Sequence, residues 1–474
     1  MQRYDFFGNF ALFFAVIYRM STSSSTGRGS FGTSLGVILA SAGSAVGLGN
    51  IWRFPTEVGN NGGAAFILVY LAFVLFLSLP VMVCEFLMGR SSRSNTVGAW
   101  KVLAPKSPLI VAGYLGILAG VLILSFYSVV AGWTLDYTVL SLGNKLAGDQ
   151  NYAAVFETFV SNPWKPIVYL CLFLFLTHWI VARGVERGIE RYSRLMMPML
   201  LVIIVVLALS ASRMPGAEAG LTFLLRPDFS KMTPDVLLSA MGQALFSLSV
   251  GVGCLTTYAS YFKKETKLMS SALSVCLIDT LVAVTSGFII FPAVFSVSGL
   301  SVDAGPGLVF ITLPYVFNAT FSSAPVWGYI FSGLFYLLLV LAALTSSISM
   351  HEISTAFLTD NYQMSRKYAA RIVTAVCMLL GIACSLSFGP WKEYTLCGMG
   401  VFDWFDYFSA RFCMPLGALA ISIFVGWIMP QREVRNQLTN WGTLPIVLYG
   451  TFRFLSRWVA PLGVAIVFIN ELLH

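Results

Sequence analysis

The segment that decides the fold is GSAVGLGNIWRFP, residues 43–55, which lies inside an apolar run covering 35–57. It places three glycines and Asn50 within eight residues, and Arg53 follows shortly after. Glycine costs about 1 kcal/mol relative to alanine inside a helix, and lipid offers no partner to a backbone group that leaves the helical hydrogen-bond pattern. The segment therefore predicts a membrane helix that is interrupted where its backbone faces protein, an ion or a polar ligand.

The composition around this segment is that of an integral membrane protein. Of the 474 residues, 57% are hydrophobic and only 11% are charged, which is too little charge for a water-soluble domain. A membrane span needs about 20 apolar residues. Eleven such runs occur, at 35–57, 64–88, 109–140, 165–182, 191–212, 236–260, 270–299, 325–357, 368–388, 396–427 and 444–470. The predicted fold class is all-α with eleven transmembrane helices, and the short connections leave no room for a soluble enzymatic domain.

The net charge of +8 reflects membrane topology. With the N-terminus in the cytoplasm, the cytoplasmic segments hold 19 Lys and Arg residues and the outer segments hold six. This asymmetry follows the positive-inside rule, so we expect a cytoplasmic N-terminus and an extracytoplasmic C-terminus. The basic surplus therefore gives no reason to expect a nucleic-acid partner. The basic loop GVERGIERYSR, residues 184–194, is interpreted as a solvated or lipid-headgroup face.

The N-terminal segment and the cysteine and histidine side chains give no indication of catalytic chemistry. Residues 1–27 are predicted to be a cytoplasmic tail without a cleavable signal, and translation could start at Met20. The eight cysteines form no C-x-x-C pair and are interpreted as core side chains. The three histidines, His178, His351 and His474, show no metal-ligand or nucleophile-base spacing. We therefore predict that the chain is not an enzyme.

The glycine motif of the interrupted segment recurs later in the sequence. VGLG at 46–49 in helix 1 is matched by VGVG at 250–253 in helix 6, 204 residues later. Five spans separate the start of helix 1 from the start of helix 6, and because five is odd, the second copy enters the membrane from the opposite side. Paired glycine-interrupted spans indicate an inverted repeat with a binding site near the bilayer midplane. We predict a first five-helix repeat at 28–212, a second at 213–427, and an additional eleventh helix within 428–474.

An interrupted helix offers two kinds of binding group. Freed carbonyl oxygens suit a hard cation such as Na⁺, and the free N–H groups at the start of the following half-helix suit a carboxylate. The segments 41–90, LSFYSVVAGWTLDY (124–137), GQALFSLSVGVGCLTTYASYF (242–262), LAALTSSIS (341–349) and VFDWFDYF (401–408) resemble, in this order, the neurotransmitter:sodium symporters, in particular bacterial amino-acid transporters. The resemblance covers essentially 28–474. It implies a sodium-coupled symporter in the bacterial inner membrane that imports a neutral amino acid by alternating access.

The resemblance implies two sodium sites. The first comprises the Ala45 carbonyl, the Asn50 amide oxygen, Ser247, Asp279 and the substrate carboxylate. The second comprises the carbonyls of Gly43, Val46 and Ala342 with the hydroxyls of Thr345 and Ser346. Taken alone, Thr345 and Ser346 are better explained by helix packing or by hydrogen bonds to the preceding turn, but the broken helix 1 in the same chain favours the sodium site. An ionised Asp279 in an apolar span is costly and is functional by default. Since some family members use chloride to balance charge here, a fixed carboxylate predicts chloride-independent transport.

The implied substrate pocket is mostly apolar, which favours a hydrophobic or aromatic side chain on the substrate. Its residues are Ala45, Gly49, Ile123, Tyr127, Phe246, Ser247, Ser249, Val252, Ser346 and Met350. Tyr127 would donate to the substrate carboxylate, although it could also be a core aromatic residue. Gly47 stands where amine carriers of the family have an aspartate, and we expect it to leave that space free.

The resemblance also implies two gates. The extracellular gate comprises Arg53, Gln243, Phe246 and Asp406, with Asp403 as a competing partner for Arg53. The cytoplasmic gate comprises Arg28, Phe31, Tyr261 and Asp360. The best-known members have twelve helices, whereas we expect eleven in this chain. Two alternatives stay open: a sodium-independent amino-acid exchanger on the same fold, and a sodium-dependent sensor that binds without cycling. Beyond the substrate and the lipid bilayer, we expect no obligate protein partner.

Overall fold

The structure, a computed structural model, describes residues 29–148, 150–297, 307–396, 398–445 and 449–473. Within these ranges, the regular structure is helical apart from one isolated β-bridge between Leu396 and Met399. Arg28, Met20 and the predicted tail lie outside the described residues.

Eleven helical segments of the described residues, here numbered as spans, correspond in chain order to the eleven apolar runs of the sequence. They are span 1 (Ser34–Ala45 and Gly49–Asn60), span 2 (Ala64–Ser92), span 3 (Ile110–Leu142), span 4 (Lys165–Val181), span 5 (Val185–Ala211), span 6 (Pro234–Ser247 and Cys254–Ala259), span 7 (Leu268–Phe295), span 8 (Pro325–Tyr362), span 9 (Arg366–Leu386), span 10 (Val401–Ile428) and span 11 (Tyr449–Leu473). Eight of them, spans 2, 3, 5 and 7–11, are single helices long and apolar enough to cross a membrane. The predicted all-α membrane fold is confirmed.

Some segments predicted as loops form short helices: Thr96–Leu103, Tyr152–Ser161, Ala217–Leu225, Leu308–Thr320 and Gln431–Leu438. At 8 to 13 residues they are too short to cross a bilayer. Side-chain caps explain where two of them start, since Asn95 accepts from Val97 N and Gly98 N, and Asn151 accepts from Ala154 N. Span 8 continues five residues beyond its predicted end at 357, to Tyr362.

Span 1 is broken where the sequence predicted. Its first half ends at Ala45, Val46 adopts an extended conformation with φ −67° and ψ 113°, and the second half begins at Gly49. The axes of the two halves are bent by 59°. The break exposes backbone groups of residues 46–48 to the interior of the protein.

Span 6 is broken between Ser247 and Cys254. Ser249, Gly251 and Gly253 have φ values of 50°, 90° and 87°, so the chain turns through the left-handed region three times. A side chain at Gly251 would lie 2.2 Å from the Met414 carbonyl oxygen, and one at Gly253 would lie 2.0 Å from Thr96 Oγ1. Only glycine fits these two positions, because both the conformation and the space exclude a Cβ.

The two broken spans are enclosed by unbroken ones. The first half of span 1 packs against spans 5, 7 and 8, and the second half of span 6 packs against spans 2 and 8. Span 3 packs along span 8 and also contacts spans 4 and 9. This arrangement places both breaks next to spans 3 and 8 in the interior of the bundle.

Candidate functional site

A cavity of about 450 Å³ lies between the two breaks and spans 3, 8 and 10. Nine of the ten predicted substrate residues line it: Ala45, Gly49, Ile123, Tyr127, Phe246, Ser247, Ser249, Ser346 and Met350. Val252 does not line it. The backbone turn after Ser249 buries Val252 completely and leaves Val250 facing the cavity. The volume is in the range of small-molecule sites.

The polar end of the cavity is formed by the break in span 1. Tyr127 accepts a hydrogen bond through its hydroxyl oxygen from Leu48 N at 3.1 Å, and Gly47 N donates to Asn50 Oδ1 at 2.9 Å. A side chain at Gly47 would lie 2.7 Å from Ser346 Oγ and 3.1 Å from Tyr127 Oη. The expected free space at Gly47 is therefore absent, because Tyr127 and Ser346 already occupy it.

A first cluster of oxygen atoms surrounds Asp279, which is fully buried in span 7. Asn50 Nδ2 donates to Asp279 Oδ1 at 2.7 Å, and Ser247 Oγ donates to Asp279 Oδ2 at 2.7 Å. Tyr70 donates to Ser247 Oγ at 3.2 Å. The cluster joins spans 1, 2, 6 and 7 next to both breaks, and it brings together three of the four residues predicted for the first sodium site. Ala45 lines the adjoining cavity.

A second cluster joins span 8 to the end of the first half of span 1. Ser346 Oγ lies 2.8 Å from the Val46 carbonyl oxygen and 3.4 Å from that of Gly43. Thr345 Oγ1 lies 3.0 Å from the Ala342 carbonyl oxygen and 3.5 Å from that of Val46. All five groups predicted for the second sodium site therefore converge, with both hydroxyls donating to carbonyls.

The cavity opens toward the end of the protein at which Arg53 lies, here called the Arg53 side. The Arg53 guanidinium stacks on the Phe246 ring, 4.1 Å from its centroid. Arg53 and Asp406 both line the cavity, but they form no ion pair within 4.0 Å. Gln243 is buried close by on span 6, and its amide has no hydrogen-bond partner among the described residues.

The opposite end, here called the Phe31 side, is closed. Phe31 is 1% exposed and packs against the rings of Tyr258, Tyr261 and Phe262 at centroid distances of 5.9–6.2 Å. Asp360 accepts hydrogen bonds from the backbone and side-chain nitrogens of Asn95. Three of the four predicted residues of this gate therefore lie at one end of the protein, and the fourth, Arg28, is outside the described residues.

Sequence reasoning missed the charge pair that closes the Phe31 side. Arg366 NH1 donates to Glu352 Oε1 at 2.9 Å, NH2 donates to Oε2 at 2.5 Å, and Tyr261 donates to Oε1 at 2.6 Å. The Glu352 carboxylate is fully buried. Glu352 two residues after Met350, near the end of an apolar span, was the signal in the sequence.

Glu85 of span 2 was also missed. Its buried carboxylate accepts from Gly251 N at 2.7 Å, Thr256 N at 3.0 Å and Thr256 Oγ1 at 2.9 Å. The Gly251 and Thr256 N–H groups are ones that the break in span 6 leaves without helical partners. Glu85 is the only charged residue in the apolar run VMVCEFLM, residues 81–88. A carboxylate in such a run indicates that it binds a polar group inside the bundle.

The histidines and cysteines behave as structural residues. His351 hydrogen-bonds to Thr355 and Thr374 in the buried interior, and His178 also contacts Thr374. The seven cysteines within the described ranges are unpaired. Across those ranges, no group of three or more His, Cys, Asp or Glu residues has the geometry to hold a metal ion.

Comparisons with known proteins agree with this architecture. Residues 28–161 and 156–474 match the model of the sodium:neurotransmitter symporter family. The chain is 38% identical to the sodium-dependent transporter YhdH of Bacillus subtilis over 92% of this chain and 96% of that protein. It is 27% identical to the human sodium- and chloride-dependent GABA transporter 2 over 87% of this chain and 75% of the relative. The crystal structure of MhsT in complex with L-phenylalanine matches with a TM-score of 0.85 and 42% identity, covering 94% of this chain and all of that chain.

Proposed function

The chain belongs to the sodium:neurotransmitter symporter family, and we propose that it couples the entry of Na⁺ to the import of a neutral amino acid with a hydrophobic or aromatic side chain. The observation that carries this proposal is the position of the cavity, whose polar end lies at the break in span 1 with an oxygen cluster on either side. The break offers its backbone N–H groups and the Tyr127 hydroxyl to a carboxylate, and the clusters offer oxygen ligands to cations.

In the first cluster, Na⁺ binds the Ala45 carbonyl, Asn50, Ser247, Asp279 and the substrate carboxylate. Asn50 must turn its amide for this, because its oxygen now accepts from Gly47 N and its nitrogen faces Asp279. Sodium binding therefore exchanges the hydrogen bonds of the Asn50 amide with Gly47 and Asp279 for a metal ligand. The turn also frees Gly47 N for the substrate carboxylate, so ion and substrate favour each other's binding.

In the second cluster, Na⁺ would lie between the hydroxyl and carbonyl oxygens, and the Thr345 and Ser346 hydroxyls, which now donate to those carbonyls, would turn their protons away from the ion. The carbonyls of Gly43, Val46 and Ala342 together with the two hydroxyls supply five oxygen ligands. Because Gly43 and Val46 belong to span 1 and the other three belong to span 8, the ion ties the two spans together. Its loss would release the first half of span 1 from span 8.

The substrate side chain lies in the apolar part of the cavity, near Ile123, Val250 and Met350. Met350 can change rotamer to fit side chains of different size, and its sulfur lies 3.6 Å from Cys254 Sγ. MhsT, which is similar along its whole length, was crystallised with L-phenylalanine. This similarity supports a substrate that brings its own carboxylate and a large apolar side chain.

Transport is proposed to be independent of chloride, because Asp279 supplies a fixed negative charge beside the first sodium site. Two Na⁺ ions moving with a zwitterion across about 100 mV yield about 4.6 kcal/mol. At about 1.4 kcal/mol per tenfold, this supports roughly thousandfold accumulation before any sodium gradient is added.

Access to the site would alternate between the two ends of the cavity. Spans 1, 2, 6 and 7 rock against the remaining spans, so that Arg53 reaches Asp406 and Phe246 covers the substrate while the Phe31 side opens. The Arg53 side is assigned to the extracytoplasmic face of a bacterial inner membrane, from the distribution of basic residues. The repeat bounds 28–212 and 213–427, with 428–474 as an addition, remain part of this proposal.

Uptake into proteoliposomes tests the proposal. A labelled hydrophobic amino acid is added with an inward gradient of NaCl, sodium gluconate or choline chloride. We expect accumulation with both sodium salts and none with choline. Accumulation with choline would favour the sodium-independent exchanger, and sodium-dependent binding without accumulation would favour the sensor. Loss of uptake in sodium gluconate would refute chloride independence.

A further inference from the structure

The segment 183–194, here called the arginine segment, joins span 4 to span 5 and forms the first turns of span 5. Arg183, Arg187, Arg191 and Arg194 are all exposed. The last three are spaced by four and three residues, which places them on one helical face. Arg187, Arg191 and Arg194 have no hydrogen-bond or ion-pair partner among the residues that the structure describes.

This face continues into the membrane as an apolar stripe. Leu195, Met199, Val202, Val206 and Leu209 are 41–64% exposed and follow one another at steps of three and four residues. Since such a stripe on a span faces lipid, the three arginines lie at the end of a lipid-facing surface, at the depth of the headgroups.

Aromatic residues beside the face support the same depth. The Arg183 guanidinium lies 3.5 Å from the centroid of the Trp179 ring and donates to Tyr192 Oη at 2.7 Å. The Trp179 and Tyr192 rings are 5.5 Å apart. Tryptophan and tyrosine are enriched at the membrane–water interface, so Trp179 and Tyr192 fix this end of spans 4 and 5 at the interface.

The acidic residues of the arginine segment face the other way. Glu190 accepts hydrogen bonds from Gly32 N at 2.6 Å, Thr33 Oγ1 at 2.7 Å and Thr33 N at 3.2 Å, at the start of span 1. Glu186 Oε1 lies 3.5 Å from the position of a Cβ at Gly32. The carboxylates are therefore turned toward the protein, and the unpaired guanidinium groups are turned toward lipid. A loop that was surrounded by water on all sides would not need to separate its charges in this way.

We infer that the arginine face, formed by Arg187, Arg191 and Arg194, binds the headgroup phosphate of an anionic phospholipid in the cytoplasmic leaflet. Guanidinium groups match phosphate geometry through paired hydrogen bonds. Three basic residues at a charged membrane surface correspond to roughly a hundredfold preference for anionic over zwitterionic lipid. The assignment to the cytoplasmic leaflet rests on the orientation proposed above, whereas the lipid site itself requires neither sodium nor substrate.

A lipid bound there also acts on span 1. The lipid would bind the lipid-facing side of the arginine segment. The protein-facing side of the same segment carries Glu190, which accepts hydrogen bonds from Gly32 and Thr33. Anionic lipid therefore stabilises the closed arrangement of the Phe31 side.

Native mass spectrometry of the full-length protein tests the site, after release from nanodiscs of phosphatidylcholine with about 30% phosphatidylglycerol. The variant R187Q/R191Q/R194Q is compared with K101Q/K367Q/R432Q, which removes equal charge from exposed positions on three separate helices. We expect wild type and control to retain phosphatidylglycerol in preference to phosphatidylcholine. In the arginine variant, this preference should fall by at least about tenfold. The single variant R191Q should show a smaller loss. An unchanged preference in the arginine variant, or an equal loss in both variants, overturns the site.

Hydrogen–deuterium exchange tests the link to span 1. In wild type and control, the amides of Gly32 and Thr33 should exchange more slowly in nanodiscs with phosphatidylglycerol than in phosphatidylcholine alone, whereas the arginine variant should show no lipid dependence. Retained lipid binding with identical exchange in both lipids would overturn the link. Neither measurement involves transport, so the result is separable from a failure of the proposed symport.

Discussion

The two ends of the cavity differ in how their charged residues are satisfied. On the Arg53 side, Arg53 and Asp406 are half-buried, separate, and on opposite walls of an open cavity. On the Phe31 side, Glu352 is fully buried, Arg366 binds it through two nitrogens, and Tyr261 donates to the same carboxylate. One end can therefore close through a single contact that solvent reaches, whereas the other must break a buried network to open.

This difference indicates which step of the transport cycle costs the most free energy. A pair that solvent reaches contributes about 0–1 kcal/mol, but removing one partner from a buried pair costs about 3–5 kcal/mol. Opening the Phe31 side should therefore be the step that needs bound ions and substrate. Variants at the two ends should differ in size of effect accordingly.

The largest effect is expected for Glu352→Gln, which leaves Arg366 without its carboxylate. The Phe31 side should open more often, at a cost of about 3–5 kcal/mol to the closed form. The measurement is the rate at which an impermeant maleimide labels a cysteine introduced at Ser354, a buried position on span 8. The control E352M/R366M removes both charges and should restore slow labelling. Equal labelling of E352Q and the wild type would contradict the role of the pair.

A smaller effect is expected for Phe31→Leu. Leucine keeps most of the apolar contact but loses the ring contacts with Tyr258, Tyr261 and Phe262, which should cost less than about 1.5 kcal/mol. Labelling at Ser354→Cys should rise by about tenfold or less. Phe66→Leu is the matched control, since Phe66 is equally buried in span 2; it should lower thermal stability without changing the labelling. An equal rise in both variants would mean that general destabilisation explains the result.

Asp406→Asn should have a modest effect, because the contact that it removes is worth about 0–1 kcal/mol. We expect the uptake rate to fall by several-fold at most, with sodium-dependent substrate binding retained. Asp403→Asn serves as the comparison, since Asp403 is the competing partner of Arg53. A larger loss for D403N than for D406N would assign the gate to Asp403.

The smallest effect is expected from ionic strength. Raising choline chloride from about 0.1 M to about 1 M at constant Na⁺ shortens the Debye length from about 10 Å to about 3 Å. This should weaken closure of the Arg53 side by about twofold, seen as faster substrate dissociation, and leave labelling at Ser354→Cys unchanged. A change in labelling of similar size would show that the charged pair of the Phe31 side is reached by solvent.

The sequence was sufficient to predict the all-α membrane fold and the position of the break in span 1. The break in span 1 was readable because glycines 43, 47 and 49 weaken the helix within one short segment. The grouping of Asn50, Ser247 and Asp279 followed from the family resemblance, and the structure brings these three residues into hydrogen-bond contact.

The features that sequence reasoning missed depend on backbone direction or on distant pairing. Val252 was expected in the cavity, but the positive φ of Ser249 turns Val250 there in its place. The Glu352–Arg366 pair joins spans 8 and 9, and each residue in isolation is compatible with many partners. The space at Gly47 could not be judged either, because it depends on how closely Tyr127 and Ser346 approach span 1.

The carboxylate of Glu85 has a consequence for the biogenesis of the protein. The unwound stretch of span 6 carries N–H groups that lipid cannot satisfy, so this span alone is a poor candidate for stable insertion into the bilayer. Span 2 precedes span 6 along the chain, so the acceptor for Gly251 N and Thr256 N is already in the membrane when the unwound stretch leaves the ribosome. We therefore expect span 6 to integrate by docking onto span 2, which makes Glu85 a determinant of assembly order as well as of the finished structure.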